Sequence, residues 1–303
     1  MYHLGALFYA GKGFYQDVKK AVELFEKSAL QGYSLAQYSL GLCYKNGNGV
    51  EQDLKRAVEL FQKSAAQGYG NAQSNLAVHY ENGLGVSKDV KKAIKLFKKG
   101  ASQGNMTAQF NLAVHYEDGK GVKQSFKKAL DLYEKSASQG YAYAQNTLGE
   151  FYEKGKIGPP DLKKAFEFYE KSANQGNALA QYNLAFYYYK GNLVKQDFKT
   201  AFDLFEKSAN QGNANAQFNL AVCYECGEGT VKNLEKAVEY YILSSKQENS
   251  FAQYNIGLIF FNGEAVAKDY TVAVHYFERS AANGNPMAFL NLGFCYENGL
   301  GVE

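Results

Sequence analysis

The sequence predicts an all-α solenoid of helix-turn-helix repeats, and two regularities predict it. The chain has 303 residues, and an Ala-Gln type of dipeptide recurs every 36 residues, from Ala36 and Ala72 onward to Ala288. A fixed period of this size is typical of stacked units that contact only their neighbours. Within each unit, apolar residues recur at helical spacing. We therefore expect residues 1–303 to form a single array of about eight repeats rather than two globular domains.

The first half of each repeat predicts a helix, here called helix A. In residues 34–69, Ala36, Leu40, Gly41 and Tyr44 fall on one helical stripe, and equivalent residues recur in the later repeats. The small residues of this stripe allow a neighbouring helix to come close. Each helix A is expected to end at a glycine, which adopts a positive φ without a Cβ penalty: Gly47, Gly83, Gly119, Gly155, Gly191, Gly227, Gly263 and Gly299.

The second half of each repeat predicts a helix B that begins after an N-cap residue. The side-chain oxygen of such a residue satisfies free N–H groups of the first helical turn. The candidate caps are Asp53, Asp89, Ser125, Asp161, Asp197, Asn233 and Asp269. Helix B is expected to bury residues such as Phe61 and to end near Gln67-Gly68. The turn to the next helix A is short, which predicts antiparallel neighbouring helices.

Charge and hydropathy argue against two classes of partner. The chain carries 33 Lys and Arg against 30 Asp and Glu, a formal charge of +3, whereas a dedicated nucleic-acid binder usually shows a stronger and clustered basic bias. No stretch approaches the roughly 18 apolar residues that a membrane-spanning helix needs. The sequence therefore predicts neither a nucleic-acid partner nor a membrane span.

The sequence offers no motif for catalysis, a cofactor or a metal. Cys43, Cys223 and Cys295 lie two or more repeats apart, too far for a disulfide, and reduced thiols weakly favour a cytoplasmic location. His79 and His115 occupy equivalent positions, so they could reach one metal ion, but no third ligand is fixed beside them. We interpret them as packed or surface-lining side chains and predict no catalytic, cofactor or metal site.

Both ends of the chain are expected to fall inside a repeat. Leu4 and Gly5 align with Leu40 and Gly41, and the sequence stops just before the next helix B would begin. Solenoids normally have polar capping repeats, so we expect a section of a longer array and end-to-end self-association. A targeting signal could be missing, which leaves the cellular compartment open.

The repeat unit resembles the Sel-1-like repeat, a relative of the tetratricopeptide repeat. The resemblance rests on the pattern A-x-A-Q-x-N-L-(G/A)-x-x-Y-x-x-G-x-G-V-x-x-D-x-x-K-A and extends over essentially the whole chain. It implies a right-handed α-α superhelix that acts as an adaptor or scaffold for protein or peptide partners. A cysteine-rich subgroup is linked to penicillin binding or hydrolysis, but this chain lacks its paired cysteines. That hydrolase activity and a passive spacer between other domains are the alternatives.

Two rows of equivalent helix A positions are the candidate partner-binding groove. The asparagine row suggests a use because Asn is a poor helix former, and an amide both donates and accepts hydrogen bonds. The row is expected to line the concave face and hold a peptide backbone; alternatively each Asn bonds the adjacent repeat. Beside it runs an aromatic row, which could line the groove or belong to the core. The asparagine row is Asn75, Asn111, Asn183, Asn219, Asn255 and Asn291, and the aromatic row is Tyr38, Phe110, Tyr182, Phe218 and Tyr254.

One deviating repeat suggests a separate docking patch. Helix B of this repeat carries Ile242 and Leu243 where other repeats have charged or amide side chains, and Tyr241 and Phe261 are expected nearby. Glu248 also replaces the glycine that follows the other helices B. An apolar patch on a normally charged face can mark a binding surface; local repacking against the altered turn is the alternative.

Overall fold

The computed structural model of the protein describes residues 1–13 and 15–302. Seventeen α-helices and no strands occur in this part of the chain. In chain order they are α1 Tyr2–Ala10, α2 Val18–Leu30, α3 Ser34–Asn46, α4 Leu54–Ala66, α5 Gly70–Asn82, α6 Val90–Ser102, α7 Met106–Asp118, α8 Phe126–Ser138, α9 Ala142–Glu153, α10 Leu162–Asn174, α11 Ala178–Lys190, α12 Phe198–Asn210, α13 Ala214–Cys226, α14 Leu234–Ser245, α15 Ser250–Asn262, α16 Tyr270–Ala282 and α17 Pro286–Glu297. Odd-numbered helices are helices A and even-numbered ones are helices B, which confirms the predicted all-α, solenoid-like fold.

The chain forms two compact units. Unit 1 comprises Met1–Leu148 with Lys156–Pro159, and unit 2 comprises Gly149–Gly155 with Pro160–Glu303. From α1 to α8 in unit 1, and from α10 to α17 in unit 2, each helix packs against the next one along the chain, and α5 also packs against α7. Each unit is therefore built from the same repeated helix-turn-helix contact.

Local signals place the helix ends where the sequence predicts them. The Asp53 carboxylate accepts hydrogen bonds from the backbone N–H groups of Lys55 and Arg56, and the other predicted caps do the same for their own helices. Gly47 ends α3 with φ +73°, and Gly68 follows α4 with φ +87°. The helices B from α4 to α16 therefore begin at a side-chain cap, and helices A such as α3 end at a glycine.

The core of each repeat is an aromatic ring of helix B enclosed by the small-residue stripe of helix A. Phe61 is fully buried, and Ala36, Leu40 and Gly41 are buried beside it. The stripe of α17 is less buried, since Leu292 is half-buried and Tyr296 is exposed. Burial of that stripe depends on the following repeat, and no helix follows α17 in the described chain.

A buried polar network, which the sequence analysis missed, joins successive elements. The glutamine of the Ala-Gln dipeptide is buried: Gln37 donates from Nε2 to the Ala29 carbonyl, and its Oε1 accepts from Gln67 Nε2 at 2.8 Å. The same pairing of side-chain amides recurs for the dipeptide glutamines of α7, α11, α13 and α15, with Asn283 in place of the second glutamine at α15. Ser64 Oγ likewise donates to the Ser34 carbonyl at 2.8 Å. Because a buried polar group is costly unless it is bonded, these pairs fix how helix B sits on the helix A before it.

Glu248 occupies a backbone conformation that other repeats give to glycine. Its φ is +61°, a left-handed conformation that strains a residue with a Cβ. Its carboxylate accepts hydrogen bonds from Arg279 Nη2 at 2.8 Å, Asn283 Nδ2 at 2.7 Å and Gln253 Nε2 at 3.0 Å. These bonds lower the pKa of Glu248, with the Asn283 bond the largest cause. The altered turn is thus tied to the next helix B by side-chain contacts.

Candidate interaction surface

The six asparagines of the row are all half-buried, on one side of the helices A. Its position follows from helical geometry, because each asparagine precedes a leucine or isoleucine of the core stripe by one residue and so points about 100° away from it. Here we call this side the helix A surface: the asparagine row, the aromatic row, and the residues four positions before each asparagine. On each helix A, the asparagine and the residue four positions before it are neighbours on the helix surface.

Several asparagines bond to a tyrosine hydroxyl through their amide nitrogen. Asn75 Nδ2 lies 3.2 Å from Tyr38 Oη, and Asn291 Nδ2 lies 3.0 Å from Tyr254 Oη, each pair joining successive repeats. Asn219 is bonded in the same way to Tyr182. Where the preceding aromatic residue is Phe218, Asn255 donates instead to Tyr241 Oη at 2.9 Å. Inter-repeat bonding, the alternative to a ligand role, therefore accounts for part of the row.

The amide oxygens of this row are much less used. The side-chain hydrogen bonds of Asn75, Asn255 and Asn291 all use Nδ2, and Oδ1 accepts nothing from the described residues. For Asn111, the position that Tyr38 occupies relative to Asn75 is taken by Ser74. The Asn111 side chain forms no hydrogen bond within the described part of the chain. Acceptors thus remain available along the surface after packing has used the donors.

The aromatic row is half core and half surface. Each ring packs on the buried ring of its own helix B: Tyr38 lies 5.8 Å from Phe61 between centroids, and Phe218 lies 5.8 Å from Tyr241. All five members are half-buried. Burial raises the pKa of Tyr38, as does Tyr69, while the bond from Asn75 opposes them. The hydroxyl therefore stays protonated at neutral pH.

The positions before the asparagines expose large apolar side chains that the sequence analysis overlooked. Leu179 is 48% exposed, Phe251 59% and Met287 50%, and each lies four residues before an asparagine of the row. Tyr143 is exposed at the equivalent position of α9. The sequence already shows this difference, because the equivalent position in other repeats is polar, as at Asn71, Thr107 and Asn215. The helix A surface of unit 2 is therefore more apolar than the row alone indicates.

Acidic side chains lie on the same helices and satisfy buried tyrosines. Tyr133 Oη donates to Glu117 Oε2 at 2.7 Å, and Tyr169 Oη donates to Glu153 Oε2 at 2.8 Å. Tyr241 is paired with Glu225. Repeats whose buried ring is Phe, such as Phe61, need no such acceptor. Glutamate on helix A thus accompanies tyrosine on helix B in three repeats.

His79 and His115, which the sequence analysis interprets as packed or surface-lining side chains, are buried and bonded to loops. His79 Nδ1 lies 2.7 Å from the Leu84 carbonyl, and His115 Nδ1 lies 2.8 Å from the Lys120 carbonyl. His115 Nε2 also lies 3.4 Å from Glu81. Burial lowers the pKa of His79. Among the described residues, no three His, Cys, Asp or Glu side chains come together as a metal site would need.

The four residues of the predicted docking patch are not alike in position. Tyr241 is 0% exposed and belongs to the core, because its ring takes the place that Phe61 has in the second repeat. Ile242 is half-buried against the same core, and Leu243 is 43% exposed. Phe261 packs among Tyr270, Phe277 and Phe294. Leu243 is the exposed member of this set.

Cys43, Cys223 and Cys295 are buried free thiols, and Cys226 is exposed. Burial raises the pKa of Cys43 to about 11 and that of Cys223 to about 12, so neither is a ready nucleophile. No helix in the described residues has the length and hydrophobicity required to cross a membrane.

The repeats match a known family over the whole chain. The family model described as Sel1 repeat matches residues 1–33, 34–69, 70–105, 107–141, 142–177, 178–213, 214–249, 250–285 and 286–303. The chain belongs to the Sel1 repeat family. Among curated proteins no match to this Sel1 repeat chain was found.

Solved structures of other Sel1 repeat proteins are similar to this one. A protective antigen present in uropathogenic Escherichia coli strains, which displays an SLR fold, is 34% identical, with a TM-score of 0.63 over 100% of this chain and 72% of that chain. A Sel1 repeat protein from Oxalobacter formigenes is 30% identical, with a TM-score of 0.74 over 82% of this chain and 100% of that chain. An immunity protein from Pseudomonas aeruginosa, 22% identical over 70% of this chain and 80% of that chain with a TM-score of 0.51, shares the fold.

Proposed function

We propose that this Sel1 repeat protein is a protein-interaction scaffold and that the helix A surface within a unit holds an extended segment of a protein partner. The observation that carries the proposal is the set of amide oxygens left free in Asn75, Asn111, Asn255 and Asn291. An extended peptide presents backbone N–H groups at regular intervals, and free carbonyl acceptors are what such groups bind.

The exposed apolar residues supply the second part of the proposed recognition. Leu179, Phe251 and Met287 lie one helical turn from their asparagines. Binding sites for peptides combine apolar contacts, which contribute affinity, with a few polar groups that fix orientation. The partner segment is therefore proposed to be extended, with apolar side chains beside its bonded backbone.

The test is affinity capture with the intact protein and with a triple variant, Asn111→Ala, Asn255→Ala and Asn291→Ala, which removes three of the free amide oxygens. A matched control replaces Asn174 and Asn210, exposed asparagines at the ends of helices B, with alanine. Circular dichroism first establishes that all proteins remain folded. If the proposal is right, the wild type and the control capture the same partners, and the triple variant fails to capture at least some of them.

Site-specific cross-linking locates the contact independently. A photoreactive amino acid at position 251 lies on the helix A surface, whereas one at position 163 lies on an exposed side of α10. The captured partner is expected to cross-link at position 251 and not at position 163. Identical partners for all variants, or cross-linking only at position 163, would remove the helix A surface from consideration.

A further inference from the structure

A cleft on the helix B side of unit 1 is lined by lysines without acidic residues, whereas the equivalent cleft of the preceding repeat has both. It holds about 220 Å³ and is lined by Leu76, Tyr80, Lys92, Lys95, Leu96 and Lys99; this set is called the basic groove below. A larger cleft of about 590 Å³ lies at the equivalent place one repeat earlier, where Leu40 and Tyr44 correspond to Leu76 and Tyr80. The larger cleft is lined by Glu26 and Glu59 as well as Arg56 and Lys63. The two clefts thus occupy equivalent positions in successive repeats and differ in size and in charge.

The helix that forms the basic groove has no acidic residue. α6 carries Lys91, Lys92, Lys95, Lys98 and Lys99, and all five side chains are exposed. Two of these lysines stand where other helices B carry acids. The position of Lys95 is acidic in every other helix B except α16, which has His275: Glu23, Glu59, Asp131, Glu167, Asp203 and Glu239. The position of Lys98 is Gln62 in α4 and Ile242 in α14, and it is acidic in the remaining helices B: Glu26, Glu134, Glu170, Glu206 and Glu278.

With lysine at these positions, α6 lacks the favourable ion pairs that other helices B form. In α8 the equivalent residues Asp131 and Lys135 form a salt bridge of 2.8 Å across one helical turn. In α6 the corresponding residues are Lys95 and Lys99, two like charges at the same spacing, which repel. Only Lys92 is paired, with the N-cap Asp89 at 3.5 Å. The uncompensated charge at Lys95, Lys98 and Lys99 lowers helix stability, so packing does not explain it.

The floor of the groove is apolar. Leu76 and Leu96 line it, and Tyr80 is covered on one side by Lys92, whose Nζ lies 5.3 Å from the ring centroid. The wall opposite α6 is also uncharged where the neighbouring cleft is acidic, because Gln62 replaces Glu26 and donates to Tyr80 Oη at 3.1 Å. An occupant therefore meets lysines around a small apolar floor.

We propose that the basic groove binds an acidic peptide segment of a protein partner, with one apolar side chain on the leucines and flanking carboxylates at Lys95, Lys98 and Lys99. A nucleic acid fits less well, because it needs a continuous basic stripe along its phosphates. The neighbouring helices interrupt such a stripe with Glu59 on α4 and with Asp131 and Glu134 on α8. This surface is separate from the helix A surface and does not depend on it.

The experiment measures binding of a fluorescein-labelled acidic peptide, Glu-Asp-Glu-Leu-Glu-Asp, to the full chain by fluorescence anisotropy. The variant Lys95→Glu, Lys98→Glu installs residues that other repeats already carry, so it is expected to fold with unchanged or higher thermal stability. The control, Lys127→Glu, Lys163→Glu, makes the same change in net charge on α8 and α10. Comparison peptides replace Leu with Gly or all acids with Lys, and an oligothymidylate provides a nucleic-acid probe.

The expected result is saturable binding of the acidic peptide that weakens with salt, as contacts between exposed charges do. The variant in α6 is expected to raise the Kd by roughly tenfold or more, and the control by less than about twofold. The Leu-to-Gly peptide binds more weakly than the parent and the lysine peptide does not bind. Absence of binding, equal losses in both variants, or tighter binding of the oligothymidylate would overturn the proposal.

Discussion

Replacing Gly257 with alanine tests how closely helix A approaches the buried ring of helix B. A Cβ at Gly257 would lie 2.5 Å from Cε1 and 2.6 Å from Cδ1 of Phe277, and Phe277 is fully buried. The ring has little room to withdraw, and overpacking of this kind costs about 1–3 kcal/mol. Alanine gains about 0.5–1 kcal/mol over glycine inside a helix. The variant is therefore expected to lose roughly 0.5–2 kcal/mol of unfolding free energy.

The chain contains its own control for this change. Gly293 is the equivalent residue of α17, and a Cβ there would meet nothing within 4 Å. Gly293→Ala therefore keeps the helix gain without the clash, so it is expected to raise the stability by about 0.5–1 kcal/mol. The two variants differ in chemistry only through the ring that one of them meets.

The assay is urea unfolding followed by circular dichroism at 222 nm. Repeat arrays do not always unfold in one step, so the comparison uses the midpoint and shape of the whole curve. Gly257→Ala should lower the midpoint and Gly293→Ala should raise it. Equal shifts in the same direction would show that close approach of helix A to Phe277 is not what keeps glycine at this position.

Three further outcomes are expected. Glu248→Gly should have a higher thermal midpoint than Glu248→Ala, since both lose the bond to Arg279 but only glycine relieves the φ of +61°; equal midpoints would argue against backbone strain. Tyr169→Phe should lose about 1–2 kcal/mol in chemical denaturation, because a buried hydroxyl loses its bond to the Glu153 carboxylate; an unchanged curve would contradict this. Burial lowers the pKa of His79, so the stability it supports is complete above its unfolded pKa and is lost as pH falls through its folded pKa. The unfolding midpoint should therefore fall less steeply between pH 7 and pH 5 in His79→Cys, the residue found at Cys43 and Cys223, than in the wild type.

The predictions that succeeded rest on interactions within a few residues. Asp53 caps α4 through N–H groups two and three residues ahead, and Gly47 ends α3 through its own φ. Such signals need no knowledge of the rest of the chain. The 36-residue period then repeats them, which is why the order of helices could be predicted in full.

The candidate surface could be predicted only in outline. The asparagine row stood out in the sequence, but its division into bonded and free amides depends on whether Tyr38 or Ser74 occupies the facing position in the preceding repeat. Tyr241 looked like a surface residue beside Ile242, yet its ring is buried and its hydroxyl pairs with Glu225. Exposed Leu179 and Phe251 were not expected.

The sequence by itself determined which segments are helices, where they begin and end, and which stripe of each is apolar. Tertiary structure decided which polar groups are consumed by packing: Gln37 meets Gln67 across 30 residues, and Asn75 meets Tyr38 across 37. Those separations exceed one helix and its turn, so the partners are set by how the helices stack. Local propensity acts through backbone groups within one or two turns, whereas the burial and pairing of a side chain depend on atoms brought from neighbouring repeats.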